Sequence, residues 1–232
     1  VSILVGYYLL MAFVPVPGFG EANFEKGTNL AAWLDNLVLN GHLWSVSKTW
    51  DPEGILSTLP AIVTGITGMF IGQILNLPVP KIEIIKKLSI AGIVLLVSGL
   101  LWNIIFPINK SLWTSSYVLY TGGIATICLT LLYYIIDVAD YKKWAKLFLI
   151  WGVNPMIVFY FSGIIPRVLG SVKMQNPETG GEEISLQSYI YNFGIVPNFE
   201  NPLNASLVYA LSYAAFWSVI LWILYKRKLI FK

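Results

Sequence analysis

Six stretches of this 232-residue chain carry no charged side chain: 1–20, 54–80, 88–109, 111–136, 147–166 and 201–225. Each holds about the 20 residues a helix needs to cross a hydrocarbon core of ~30 Å. Lipid offers no water to backbone N–H and C=O groups, so chain at that depth must be helical. The expected fold is all-α, a polytopic membrane helical bundle of about six transmembrane helices. The spans fall near 1–17, 54–77, 88–106, 111–136, 147–166 and 203–225. Composition agrees: 56% of residues are apolar and only 12% charged, where a water-soluble domain carries roughly a quarter. The one cysteine, Cys128, sits inside a span, which excludes a disulfide framework and a cysteine metal cluster.

The first apolar stretch lacks the basic head of a signal peptide, and Pro15 and Pro17 close it where small residues would mark a cleavage site. The expectation is a chain that begins inside a membrane helix. It would form a single transmembrane domain over 1–232 and be a fragment that lacks amino-terminal helices.

The charges between spans fall into two sets. Lys81, Lys86, Lys87, Lys142, Lys143, Lys146, Lys226, Arg227, Lys228 and Lys232 lie at one set of ends, ten of the fifteen basic residues. The other set holds Lys26, Lys48, Lys110, Arg167 and Lys173 together with most of the acids. The positive-inside rule makes the lysine-rich ends cytoplasmic. The carboxy-terminus is then inside, and the long segments 21–53 and 167–200 are outside.

Those outer segments are patterned. Leu30, Trp33, Leu34, Leu37 and Val38 recur at helical spacing behind Asn29, a helix-capping residue. This predicts a short amphipathic helix at the interface. A second short helix is predicted near 184–193.

Four constellations carry candidate chemistry. In "WDPEG", Asp51, Pro52 and Glu53 fit the start of the second span as cap, first helical residue and dipole partner. Their carboxylates also suit a cationic or hydroxyl-rich ligand. Gly65, Gly68 and Gly72 within that span suit close helix packing, or the flank of a ligand channel. "PINKSLWTSSY" crowds Asn109, Lys110, Ser111, Thr114, Ser115 and Ser116 into two turns. Asn109 as a cap and Lys110 reaching the interface explain part of this, but not the density of hydroxyls, and at least one must face the interior. "GVNPMIVFY" places Asn154 and Pro155 inside a span, where a break beside a polar residue marks either a simple kink or a binding cavity. His42 is the one histidine, outside and near the interface; a histidine without a partner is usually structural, and as a catalytic base it would need to lie within hydrogen-bond reach of a substrate proton.

Taken in order, "AAWLDNLVLNGHLW", "DPEGILSTLPAIV", "GQIL", "PINKSLWTSSYVL", "WGVNPMIVFY" and "ILYKRKLIFK" resemble the carboxy-terminal part of the heparan-α-glucosaminide N-acetyltransferase family and its bacterial relatives. The resemblance implies a membrane-embedded enzyme that takes acetyl groups from acetyl-CoA, its co-substrate, on the cytoplasmic side. It passes them to an amino sugar on the other side, with no metal. It also implies that the essential histidine belongs to an amino-terminal part absent here. His42 matches a different position.

On that reading Asp51 or Glu53 holds the acceptor, and Asn109, Lys110, Ser115 and Ser116 stabilise the oxyanion, with Asn154 a further binding residue. The expected location is a bacterial inner membrane. The expected partners are the lipid bilayer, an amino sugar or glycan, the amino-terminal helices and a second copy of the chain, but not nucleic acid. The alternative is a transporter for N-acetylglucosamine or a related sugar.

Overall fold

The computed structural model describes residues 1–231. The chain forms two compact units, residues 1–141 and 142–232.

In the first unit, α1 (Ser2–Phe13) has 12 residues, about 18 Å at 1.5 Å per residue. Val14 leaves the helix in an extended conformation, as a residue ahead of a proline prefers. Over the described residues this apolar helix is shorter than the ~20 residues of a full crossing. α2 (Leu30–Val38) is the expected amphipathic helix, and the Asn29 side chain accepts from Ala32 N–H at 3.0 Å. Three long helices follow: α3 (Thr58–Leu75), α4 (Lys81–Trp102) and α5 (Ser115–Tyr133). A π-helical turn, Tyr134–Val138, prolongs α5.

α4 and α5 form the closest helix pair, and glycine makes it possible. A Cβ on Gly99 would collide with the backbone of Tyr120, and one on Gly123 with that of Leu96. A Cβ on Gly92 would lie 2.8 Å from Ile127 Cγ1. Small residues thus bring backbones together, but not where the sequence suggested. Gly65, Gly68 and Gly72 of α3 have no atom within 4 Å of a Cβ position.

Two buried clusters mark the ends of this unit. One joins Tyr7 and Met11 of α1, Leu30 and Ala31 of α2, Leu56 before α3, and Phe106 and Leu112 between α4 and α5. The other joins Ile71 of α3 to Ile84 and Leu88 of α4, with Tyr133 against them. At this second end Lys81 Nζ donates to Asp137 O at 2.5 Å. The α3–α4 turn, with Lys81, Lys86 and Lys87, therefore lies opposite the end that holds the 51–56 and 106–112 segments.

In the second unit, α6 (Ala145–Val153) and α7 (Pro155–Ser171) meet at a 76° bend. The single span expected at 147–166 is therefore broken. Pro155 has no N–H to continue the ladder and instead starts a new helix. A short antiparallel pair follows, β1 (Lys173–Gln175) with β2 (Glu183–Ser185), which the sequence did not suggest. α8 (Leu186–Tyr189) and a π-helical stretch, Ile190–Ile195, occupy the second predicted loop helix. α9 (Pro202–Lys226) closes the unit. It lies against α6, where Trp151 Nε1 donates to Ser218 Oγ at 3.1 Å, and its Tyr213 Oη reaches Ser162 O of α7 at 3.1 Å.

Among the described residues, α3, α4, α5 with its extension, and α9 are long and apolar enough to cross a membrane, and the bent α6–α7 pair makes a fifth. The fold is an all-α polytopic membrane bundle, with four to five helices of spanning length among the described residues and the shorter apolar α1 beside them.

Candidate functional site

The segment 50–57 does not cap the second span as expected. α3 begins at Thr58, behind Ser57. Asp51 spends its carboxylate locally, since Oδ1 accepts from Glu53 N–H at 2.9 Å and Oδ2 from Trp44 N–H at 3.1 Å. The chain then turns again at Gly54, whose carbonyl accepts from Ser57 Oγ at 3.0 Å and Thr58 Oγ1 at 2.8 Å. Asp51 is half-buried and Glu53 exposed. Trp50 stands beside them, edge-on to Trp44 at 5.8 Å, with Lys26 Nζ 6.0 Å from its ring centre.

The turn at 109–114 also differs from expectation. Thr114, not Asn109, caps α5, by accepting from Tyr117 N–H at 3.4 Å. Asn109 Oδ1 accepts from Ser111 N–H at 2.9 Å and so shapes the preceding turn. Lys110 is exposed at its tip.

All three hydroxyls of the Thr-Ser-Ser run are buried, and each is matched to a carbonyl. Thr114 Oγ1 donates to Pro107 O at 2.9 Å, Ser115 Oγ to Leu4 O at 2.7 Å and Ser116 Oγ to Phe106 O at 2.5 Å. The density of hydroxyls that packing by one helix face left unexplained answers to bare carbonyls of the α4–α5 turn and of α1. A buried carbonyl needs a donor.

α1 ties this turn down a second time, because Tyr7 Oη donates to Leu112 O at 2.6 Å. Leu56 and Leu112 share one buried cluster with α1 and α2. The Asp51–Glu53 and Asn109–Lys110 segments therefore stand at the same end of the first unit.

Trp113 carries a backbone φ of 51°, in the left-handed region that a bulky side chain rarely adopts. The turn directs its indole across to α3, where Nε1 donates to Thr64 Oγ1 at 3.1 Å. Below this bridge a cavity of about 500 Å³ runs between α3 and α5, lined by Gly68, Gly72, Tyr117, Thr121, Gly122 and Leu129 among others. The open space beside Gly68 and Gly72 belongs to this cavity.

Asp35 went unnoticed in the sequence. It lies on α2, only 1% exposed, and its Oδ1 accepts from Ile55 N–H at 2.9 Å. Burial pushes its carboxyl above the ordinary value. The Ile55 N–H opposes this, the Asp51 charge adds to it, and the Asp51 backbone N–H opposes it again. One signal was legible: a lone acid in a short helix whose other residues, Asn36 apart, are apolar.

His42 is exposed beyond α2, with its backbone N–H on Leu39 O at 2.8 Å. In the second unit, Asn154 sits fully buried at the α6–α7 break. Its amide donates to Leu229 O at 3.0 Å and accepts from Phe231 N–H at 2.8 Å. Both ends of the side chain hold the segment that follows α9. Among the described residues no three His, Cys, Asp or Glu side chains group as metal ligands.

No family model matches the chain. Two curated relatives do match. The heparan-alpha-glucosaminide N-acetyltransferase of Homo sapiens is 26% identical over 262 residues, covering 100% of this chain and 36% of the relative. The protein of the same name from Mus musculus is 25% identical over 252 residues, covering 96% of this chain and 35% of the relative. The chain thus spans about a third of the length of these relatives. With its apolar helices, the chain is a multi-pass membrane protein and a distant relative of the heparan-alpha-glucosaminide N-acetyltransferases.

Proposed function

We propose that this chain is part of a membrane-embedded acetyltransferase that moves an acetyl group from acetyl-CoA to an amino sugar. The observation that carries the reading is that two polar turns, 51–55 and 109–112, stand at one end of the first unit, where the adjoining Leu56 and Leu112 share one buried cluster. These turns hold two of the motifs that resemble the acetyltransferases, and the chain aligns with such enzymes along its length.

An acceptor amine attacks a thioester only when neutral, so a base must take its proton. The half-buried Asp51 and exposed Glu53 suit the holding of a cationic amino sugar as it arrives. Trp50, between Trp44 and Lys26, offers an amphipathic face to a sugar ring. Lys110 and the Asn109 amide are the donors suited to charge developing on the thioester oxygen. Ser115 and Ser116 contribute by fixing the turn that presents Lys110, since their hydroxyls are committed to carbonyls.

The rim faces outward, away from the lysine-rich α3–α4 end of the first unit, in a bacterial inner membrane.

Lys110→Ala tests this reading. Lys110 is exposed, so expression should hold while acetylation of glucosamine falls roughly 100-fold, as for a lost oxyanion donor. Unchanged turnover would remove Lys110 from the chemistry.

Sugar transport is the second reading, and the broken α6–α7 helix favours it. Counterflow of N-acetylglucosamine in vesicles, without any acetylation, is the result that would select it.

A further inference from the structure

We infer that Asp35 is the positioning residue of the candidate acceptor site, fixing where Asp51 and Glu53 point by gripping the backbone of the 51–55 turn. The inference rests on the reading that this turn receives an amino sugar.

Four observations carry it. First, the carboxylate is only 1% exposed and reaches twenty residues along the chain to accept from Ile55 N–H at 2.9 Å. Second, the Asp51 backbone N–H, like that of Ile55, works against the upward shift that burial imposes on this carboxyl.

Third, Gly54, between those two residues, lies so close that any Cβ there would collide with the Asp35 carboxylate. The turn is moulded onto the acid. Fourth, the groups that act on the buried Asp35 carboxyl are backbone amides and the acid Asp51, with no cation among them. The titratable groups facing it are Asp51 from the turn and Tyr7 from α1.

A buried carboxylate without a cation is costly, and a plain core position would be better filled by an apolar side chain. The Ile55 amide, bonded across twenty residues of chain, explains the acid. A carboxylate accepts at both oxygens, whereas an asparagine accepts at one and presents a bulkier N–H₂ group, here where Gly54 lies against Oδ2. The side chain that Asp35 orders by this grip is Asp51, whose own oxygens then hold Glu53 N–H and Trp44 N–H.

The test uses the whole chain in lipid nanodiscs, with two readouts. Asp35→Asn should raise amide hydrogen exchange at residues 51–55 at least tenfold while leaving α4 and α5 protected, the loss of roughly one hydrogen bond. It should also weaken glucosamine binding about tenfold, without altering acetyl-CoA binding. Gly54→Ala, which pushes on the same contact from the other side, should reproduce both effects should Asp35→Asn fold poorly.

Unchanged exchange at 51–55 in both variants would overturn the grip. Faster exchange with unchanged glucosamine affinity would reduce Asp35 to a structural acid and also overturn the inference. Failure of the unaltered chain to bind glucosamine would instead sink the amino-sugar reading, and this inference with it.

Discussion

The Thr-Ser-Ser run shows how one side chain is read differently by sequence and by structure. Hydroxyls in an apolar span suggest either self-satisfied helix residues or a polar site. Here each bonds a carbonyl outside its own helix: Pro107, Leu4 and Phe106. Ser116→Ala should leave Phe106 O without its donor and cost about 1–3 kcal/mol, seen as a lower melting temperature in detergent. A variant as stable as the parent would show that another donor takes its place. Asp35 was equally hidden, because the groups it serves lie around the 51–55 turn, twenty residues away in sequence. No local spacing rule joins residues that far apart.

At the scale of elements, charge-free length located the spans well. α3, α4, α5 and α9 all fall within or across expected stretches. Ends were less legible: α3 starts at Thr58 rather than beside Asp51, and α5 at Ser115 rather than beside Asn109. Both capping side chains were captured by tighter turns of their own.

The roles of the glycines depend on which helix lies opposite, which spacing alone does not reveal. Gly123→Ala should destabilise the α4–α5 pair by about 1–3 kcal/mol through overpacking. Gly68→Ala, beside the open cavity, should be neutral or mildly stabilising. Equal losses in denaturant unfolding of the two variants would contradict this assignment of close and open faces.

At the scale of the whole molecule, the lysine distribution proposes an orientation that the helix ends respect within the first unit. The α3–α4 turn and the 106–112 turn stand at opposite ends. Single cysteines in a Cys128→Ser background read this directly. An impermeant maleimide should label Val46→Cys on intact cells, and Lys87→Cys only after the membrane is opened. Both positions are exposed. The reverse pattern would invert the orientation and move the proposed acceptor rim to the cytoplasm.

What the amino-acid order determined by itself was the solvent of each segment. Long runs without charge must lie in lipid and must be helical, because backbone polar groups there have no other partner. The short helix behind Asn29 was equally local in origin, a cap and a 3.6-residue period. Tertiary structure alone decided where buried polar groups find their partners. Asp35 holds the 51–55 turn, Tyr7 and Ser115 tie α1 to the 109–115 turn, and Asn154 holds residues 229–231. Each of these bonds joins residues far apart in the chain, and its worth comes from the removal of water at a point that only the folded packing defines.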